Sequence, residues 1–229
     1  MVQWLGICAM NRERHLFEQG LEELGEPCTE AQARAFSIYL AELKKWNRAY
    51  NLTALRTDSD IVIKHFLDSL LFLKVLPGSV RTVADIGSGA GFPGIPMKIM
   101  RPDLDMLLVE PSQKKALFLE HILRTLRMEG IKVAHTRIEE LEGVLVDAAV
   151  TRALFSIQDF ISKAERILME GGVLILSKGP KVNGEVEKVQ GRQITRHDIV
   201  LPVQNSSRHL IVIRGTHAGP GNERSGIIV

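Results

Sequence analysis

Over much of the first third of the chain the apolar positions recur every three or four residues. Ala33, Phe36, Leu40, Leu43 and Trp46 form one such stripe, which predicts an amphipathic helix opening at Thr29, a residue suited to capping free backbone N–H groups. A second stripe, Val62, Phe66, Ser69, Leu70 and Leu73, follows the fresh helix start in RTDSD and ends at the Pro-Gly of LPGSV. From Val80 the period changes. Short β-branched and aliphatic runs, TVADIG, LDMLLVE, IKVAHT, VDAAVTRA and GGVLILSKG, alternate with helical stretches over 95–100, 112–128 and 157–169, and with a shorter one after IKVAHT.

Strands that alternate with helices need crossover connections, so the expected class is α/β with a doubly wound, mainly parallel sheet. The last two strand-like runs, RQITRHDIVLP and SRHLIVIRG, are separated only by a short polar stretch. They predict an antiparallel hairpin added to the sheet edge. The expected division is an N-terminal helical segment over 1–77, an α/β domain over 78–215 on which it packs, and a loose Gly/Pro/polar tail over 216–229.

Composition narrows the class only a little. The 229 residues are 45% hydrophobic and 24% charged, which suits one sizeable core and argues against disorder. The net charge of +2 says little about partners, but seven Lys/Arg lie between Lys178 and Arg214 against three acids. A basic C-terminal segment of this kind fits phosphates, or is a solvated face. Cys8 and Cys28 are the two cysteines, with no CxxC; the expectation is no metal and a reducing, cytoplasmic setting. The apolar MVQWLGICAM lacks a basic flank and is too short to span a bilayer, so no membrane association is expected.

The stretch Asp85-Ile86-Gly87-Ser88-Gly89-Ala90-Gly91-Phe92 carries the candidate chemistry. Glycines after a strand let the backbone turn sharply and approach a ligand, with the N–H groups of the next helix nearby. A dinucleotide fingerprint wants a third glycine where Phe92 stands, and the Gly-Lys-Ser/Thr of a phosphate loop is missing. A bare turn remains possible on the glycines alone. Asp85 disfavours an anionic pyrophosphate and suits a cationic sulfonium or ammonium. Glu110 closes the second strand about 20 residues on, where an acid accepts hydrogen bonds from ribose hydroxyls. Acid–Gly–x–Gly–x–Gly with a second-strand acid is the class I S-adenosylmethionine pattern.

Beyond that pattern, NLTALR, HFLDSL, DIGSGAGFPGIP, RIEEL, TRA, SKG and RHLIVI occur in this order. In this the chain resembles the bacterial glucose-inhibited division protein B family, also called small-subunit rRNA methyltransferase G, from about Thr29 to Arg214. The resemblance implies a class I, seven-stranded methyltransferase fold that transfers methyl from S-adenosylmethionine to N7 of a guanine in the decoding region of 16S rRNA. The partner it implies is 16S rRNA or the 30S subunit. It places Gly87 and Phe92, with Gly89, Gly91 and Asp85, in the donor pocket, Ile138 and Glu139 beside the adenine, and Arg152 at the methyl-transfer face. The family commonly has Asp-Ser where Glu110-Pro111 stand.

Guanine N7 has an exposed lone pair and no proton at neutral pH, so its methylation needs alignment and desolvation rather than a general base. The candidates for positioning are Arg152, His65 and Asp68. Alone, the last two read as a surface pair on a helix face; beside NLTALR they read as closing the site. Lys178, Lys181, Arg208 and His209, with Asn51 and Arg56, are the candidates for RNA contact. Lys44, Lys45 and Arg48 form a smaller basic patch, Lys114 and Lys115 sit unfavourably near a helix start, and Trp46 reads as core. The alternatives are a non-catalytic rRNA- or ribosome-binding module that keeps the fold, and, disfavoured by Asp85 and Phe92, a nicotinamide oxidoreductase.

Overall fold

The computed structural model describes residues 4–152, 154–179 and 183–215; the predicted tail from Thr216 lies outside them. The chain opens with α1 (Trp4–Leu24), a helix the apolar stripes did not announce, which buries Phe17, Leu21 and Leu24. Helix α2 (Glu30–Tyr50) begins at the expected cap. Thr29 Oγ1 accepts from the Gln32 N–H, and Gln32 Oε1 accepts from the Thr29 N–H, so two end donors are satisfied reciprocally. Gln32 also donates to the Ile99 carbonyl, tying the helix start to the α/β part.

The second stripe is one helical rod of changing pitch: α3 (Asp58–Ile61), a π-helical turn over Val62–Leu67, α4 (Asp68–Leu70) and a 3-10 turn over Leu71–Lys74. Thr57 caps it through the Asp60 N–H. The wide turn matters below, because π turns re-aim side chains and free carbonyls.

Seven strands form one sheet in the order β3-β2-β1-β4-β5-β7-β6. They are β1 (Thr82–Ile86), β2 (Asp105–Val109), β3 (Ile131–Ala134), β4 (Val146–Arg152), β5 (Leu168–Lys178), β6 (Ile194–Leu201) and β7 (Ser206–Arg214). The first five run parallel, and β7 enters antiparallel between β5 and β6. Helices α5 (Gly94–Met100), α6 (Gln113–Thr125) and α7 (Ile157–Ala164) are the crossovers, and α8 (Asn183–Val186) precedes the hairpin. The helix expected over 157–169 stops early, since Leu168 already pairs with Val146 as the first residue of β5. The short helical stretch after IKVAHT is a 3-10 turn, Ile138–Glu140.

Each sheet face has its own core. Val83, Met106, Leu108, Val150 and Ile175 meet Phe17, Phe36, Phe66 and Phe118 from the N-terminal helices and α6. Ala84, Ile86, Val109, Leu174 and Leu176 meet Ile157, Phe160 and Ile161 of α7 on the other face. Burial on both faces is why the central strands read as unbroken apolar runs. The N-terminal helices thus belong to the same core as the sheet.

Candidate functional site

The topological switch of an open α/β sheet lies between its first strand and the next one added on the other side, here β1 and β4, and ligands bind beyond the C-terminal ends of the strands there. The glycine loop leaves β1 at that point. Gly87, Gly89 and Gly91 have φ of +73°, +62° and +98°, a region that side chains enter only under strain. The loop is pinned from below: Gly87 N–H donates to the Val109 carbonyl at 2.8 Å, and Gly91 and Phe92 N–H both donate to the Ser88 carbonyl.

Two carboxylates brace it. Glu110, buried at the end of β2, accepts from the Gly89 N–H through Oε2 and from the Ser112 N–H through Oε1, both at 2.8 Å. Its carboxylate therefore bridges the loop and the start of α6. Asp85 is fully buried. Its Oδ2 accepts from the Gly94 N–H at 2.9 Å, while Oδ1 has no partner. Burial pushes its carboxyl up to about 7, against the pull of the Gly94 N–H. Gly94 is glycine for space: a Cβ there would lie 2.4 Å from Leu108 Cδ2 and 2.8 Å from Asp85 Oδ2.

The outer wall of the loop comes from the N-terminal helices. Tyr39, fully buried, donates its hydroxyl to the Ala90 carbonyl in a short hydrogen bond. Its ring stacks on Phe66 at 5.3 Å and on Phe92 at 5.4 Å. The His65 ring stacks on Phe92 at 4.3 Å with the planes 16° apart, and the Arg152 guanidinium lies 5.3 Å from the Phe92 centroid. Tyr39 escaped the sequence reading, although a tyrosine in an apolar stripe needs a partner for its hydroxyl.

Arg152, the last residue of β4, reaches into the π turn. It donates to the Lys64 carbonyl at 2.9 Å, to Asp68 Oδ2 at 3.3 Å and to His65 Nδ1 at 2.8 Å. Arginine only donates, so Nδ1 carries the lone pair and Nε2 the hydrogen, which points to Thr53 Oγ1 at 2.7 Å. His65 is a neutral imidazole: burial, then the Arg152 charge, lowers its pKa to about 3. Asp68 is buried and holds a second guanidinium, Arg208 Nε, through Oδ1 at 2.6 Å. The surface reading of the His65–Asp68 pair is thus corrected. Both side chains are buried, and they meet through Arg152 rather than through each other.

These groups enclose a cleft of about 130 Å³ walled by Thr53, His65, Phe92, Arg152 and the backbone of residues 87–90. A larger hollow of about 520 Å³ lies between α1 and the start of α2, against Arg14, Glu18, Cys28 and Glu30, and contains none of the predicted site residues.

Residues 32–211 match the family described as GidB, rRNA small subunit methyltransferase G. The chain belongs to the GidB family. Curated relatives agree along nearly the whole length. A ribosomal RNA small subunit methyltransferase G from Geobacter sp. (strain M21) is 37% identical over 210 residues, covering 87% of this chain and 96% of the relative. One from Neisseria meningitidis serogroup A / serotype 4A is 33% identical over 208 residues, covering 89% and 99%. Among solved structures, a methyltransferase from Pyrococcus furiosus superposes with a TM-score of 0.57 at 13% identity, over 79% of this chain and 98% of that one. MtNAS in complex with MTA and tNA gives 0.54 at 13% identity, over 80% and 74%. At that identity the likeness is one of fold.

The remaining candidates separate in this GidB-family structure. Ile138 is buried in the α7-side core, and Glu139 is exposed and paired with Lys163. Asn51 is the left-handed C-cap of α2 and accepts from Arg56 at 3.3 Å. Lys178 and His209, expected at the RNA, both have partners within the fold. Lys178 is largely buried, donating to the Phe155 carbonyl and pairing with Glu185 at 2.9 Å. His209 is buried against Asp198, with Nδ1 at 2.6 Å from Oδ1. Arg208 is turned inward to Asp68, and Lys181 lies outside the described residues. Among the described residues no helix is long and apolar enough to cross a membrane, and no cluster of three His, Cys, Asp or Glu could hold a metal.

Proposed function

We propose that this GidB-family chain binds S-adenosylmethionine against the glycine loop and methylates N7 of a guanine in 16S rRNA of the small subunit. The observation that carries the reading is the family match over residues 32–211, whose most specific stretch, GFPGIP, leaves the glycine loop and enters α5.

The residues present fit that donor. Asp85 keeps one buried oxygen without a partner, a site that favours a positively charged group or an ordered water bridging to one. The three glycines leave the loop backbone bare for close approach. Glu110 uses one lone pair of each oxygen on the backbone and retains acceptor capacity for ribose hydroxyls. Bound there, S-adenosylmethionine supplies a methyl group on a positively charged sulfur.

What the chain does is align and desolvate. Arg152, which lines the cleft, donates to Lys64, His65 and Asp68 and keeps two of its five N–H bonds uncommitted among the described residues. Those suit the guanine O6 acceptor, which adjoins N7 on the major-groove edge. His65 and Phe92, stacked face to face, stand in the wall of the cleft where the base would be received. With both ring nitrogens engaged, His65 takes no proton from the substrate, and methylation of N7 requires none to be taken.

Primer extension across 16S rRNA after aniline cleavage at 7-methylguanosine reads out the reaction. Strains with the gene should show one additional stop that its deletion removes. An unchanged pattern overturns the reading.

A further inference from the structure

Thr53 stands at the end of a hydrogen-bonded chain whose direction is fixed at its other end. Arg152 can only donate, so it donates to His65 Nδ1 at 2.8 Å and the imidazole hydrogen lies on Nε2. That hydrogen is donated to Thr53 Oγ1 at 2.7 Å. A second donor, the Leu55 N–H, reaches the same oxygen at 3.2 Å. A hydroxyl oxygen has two lone pairs, and both are then filled. What Thr53 keeps is its own hydrogen, which has no acceptor among the described residues.

The residue is held in place as well as directed. Thr53 N–H donates to Asn47 Oδ1 at 2.9 Å, and Asn47 is buried near the end of α2. A threonine oxygen that accepts from an N–H two residues on is an ordinary local brace, but that bond uses a lone pair and leaves the hydrogen unspent. All three members of the chain, Arg152, His65 and Thr53, line the same cleft beside the glycine loop. The Arg152 charge polarises the imidazole, and the imidazole polarises the hydroxyl, so each link makes the next a better donor.

We infer that Thr53 is a specificity-determining residue, its hydroxyl donating to O6 of the guanine whose N7 takes the methyl group. The inference rests on the proposed rRNA activity and adds to it a reader of the base. N7 keeps its lone pair for the methyl group, which leaves O6 as the one other acceptor on that edge of guanine. Adenine carries an amino donor there instead. A free hydroxyl could turn round and accept from that amino group. In Thr53 it cannot, because Arg152 sets the direction of the whole chain and the oxygen is already filled.

The test compares the full chain with Thr53→Val, Thr53→Cys and Thr53→Ser in methyl transfer from labelled S-adenosylmethionine. The substrates are 16S rRNA and the same rRNA ligated with 2-aminopurine, which keeps N7 and lacks O6, at the position that primer extension marks. On guanine, Thr53→Val should lower kcat/KM for RNA by roughly ten-fold, the order of one lost hydrogen bond. Thr53→Ser, which keeps the hydroxyl, should recover most of that loss. On 2-aminopurine the wild-type protein should already be slow, and Thr53→Val should add less than about two-fold. Calorimetric affinity for S-adenosylmethionine should be the same in every variant, which also shows that they fold. Thr53→Cys, similar in shape with a weak donor, carries the comparison if valine prevents folding. An equal loss on both bases, the mark of a purely structural threonine, overturns the role. So does a parallel loss of donor affinity, which would assign the hydroxyl to S-adenosylmethionine instead. Wild-type transfer to guanine by Thr53→Val overturns this role alone, whereas a wild-type protein that transfers no methyl to 16S rRNA overturns the functional reading and this role with it.

Discussion

The glycine loop leaves the middle of the sheet and the C-terminal hairpin forms one lateral edge of it, and the two regions use their polar groups in opposite ways. Around the loop, capacity is left over: Asp85 Oδ1 is unpartnered, Arg152 has donors to spare and the cleft is open. On the hairpin side the cations are engaged internally. Lys178 is held by Glu185, Arg192 by Glu165, Arg196 by Asp198 and Arg208 by Asp68. The local excess of positive charge in the sequence is therefore largely neutralised in the fold, partly by acids from distant segments. Binding capacity follows uncompensated groups rather than summed charge.

That contrast can be broken by experiment. The largest effect is expected at the loop. Gly87 has positive φ, and a Cβ there would lie 2.2 Å from Leu154 Cδ2. Gly87→Asp adds strain and a third carboxylate, and should weaken S-adenosylmethionine binding by about 100-fold or more in calorimetry. Donor affinity like that of the wild type would remove the loop from the binding site.

Asp68 links the two regions, since it alone holds both Arg152 and Arg208. Asp68→Ala leaves two largely buried guanidinium groups without their counter-ion and should cost about 3 kcal/mol in urea unfolding, the scale of a buried pair broken on one side. Methyl transfer should fall with it, even under conditions where the variant is fully folded. Arg208→Met, which removes only the hairpin arm, should retain more activity than Asp68→Ala.

Two buried groups on the loop side should give opposing pH dependences of stability. Asp85 has a folded pKa raised to about 7, so the folded state holds the extra proton and stability falls as pH rises from about 4 to 7. His65 has a folded pKa lowered to about 3, so the unfolded state takes the extra proton and stability falls as pH drops from about 6.5 to 3. Each contribution is on the order of 4–5 kcal/mol, and they largely cancel across the shared range. Asp85→Asn should unmask loss of stability toward acid, and His65→Gln should unmask loss toward neutral pH. Parallel unfolding curves in all three proteins would show that neither group is shifted. The smallest effect is expected on the hairpin side: Lys178→Met should change RNA affinity by less than about two-fold while costing about 1 kcal/mol of stability.

The strands and the glycine loop were legible because their causes are local. A strand buried on both faces must be apolar throughout, and a left-handed turn requires glycine. Glu110 was legible by its spacing from the loop, although its hold on both Gly89 and Ser112 was not. The interactions that shape the cleft are long-range. Asp68 meets arginines 84 and 140 positions away, and Tyr39 meets a carbonyl 51 positions on. No window of sequence contains both partners. Glu185, only seven residues from Lys178, was in view in the sequence, but that the two pair was not, since a short helix carries Glu185 back to the end of β5. The break expected at residue 77 fell where the helices end, yet Tyr39, Phe66 and Phe92 join both sides of it in one aromatic stack.

The π turn over Val62–Leu67 acts as an angular spacer. An α-helix advances about 100° per residue, and a π turn accommodates one residue more than an α turn would. Deleting Ile63 from that stretch would leave every functional side chain in the protein. The segment beyond the deletion would rotate by about 100°, carrying Asp68 away from both arginines. The aim of Arg152 into the cleft is thus fixed by the length of a helical turn as much as by the side chains it carries.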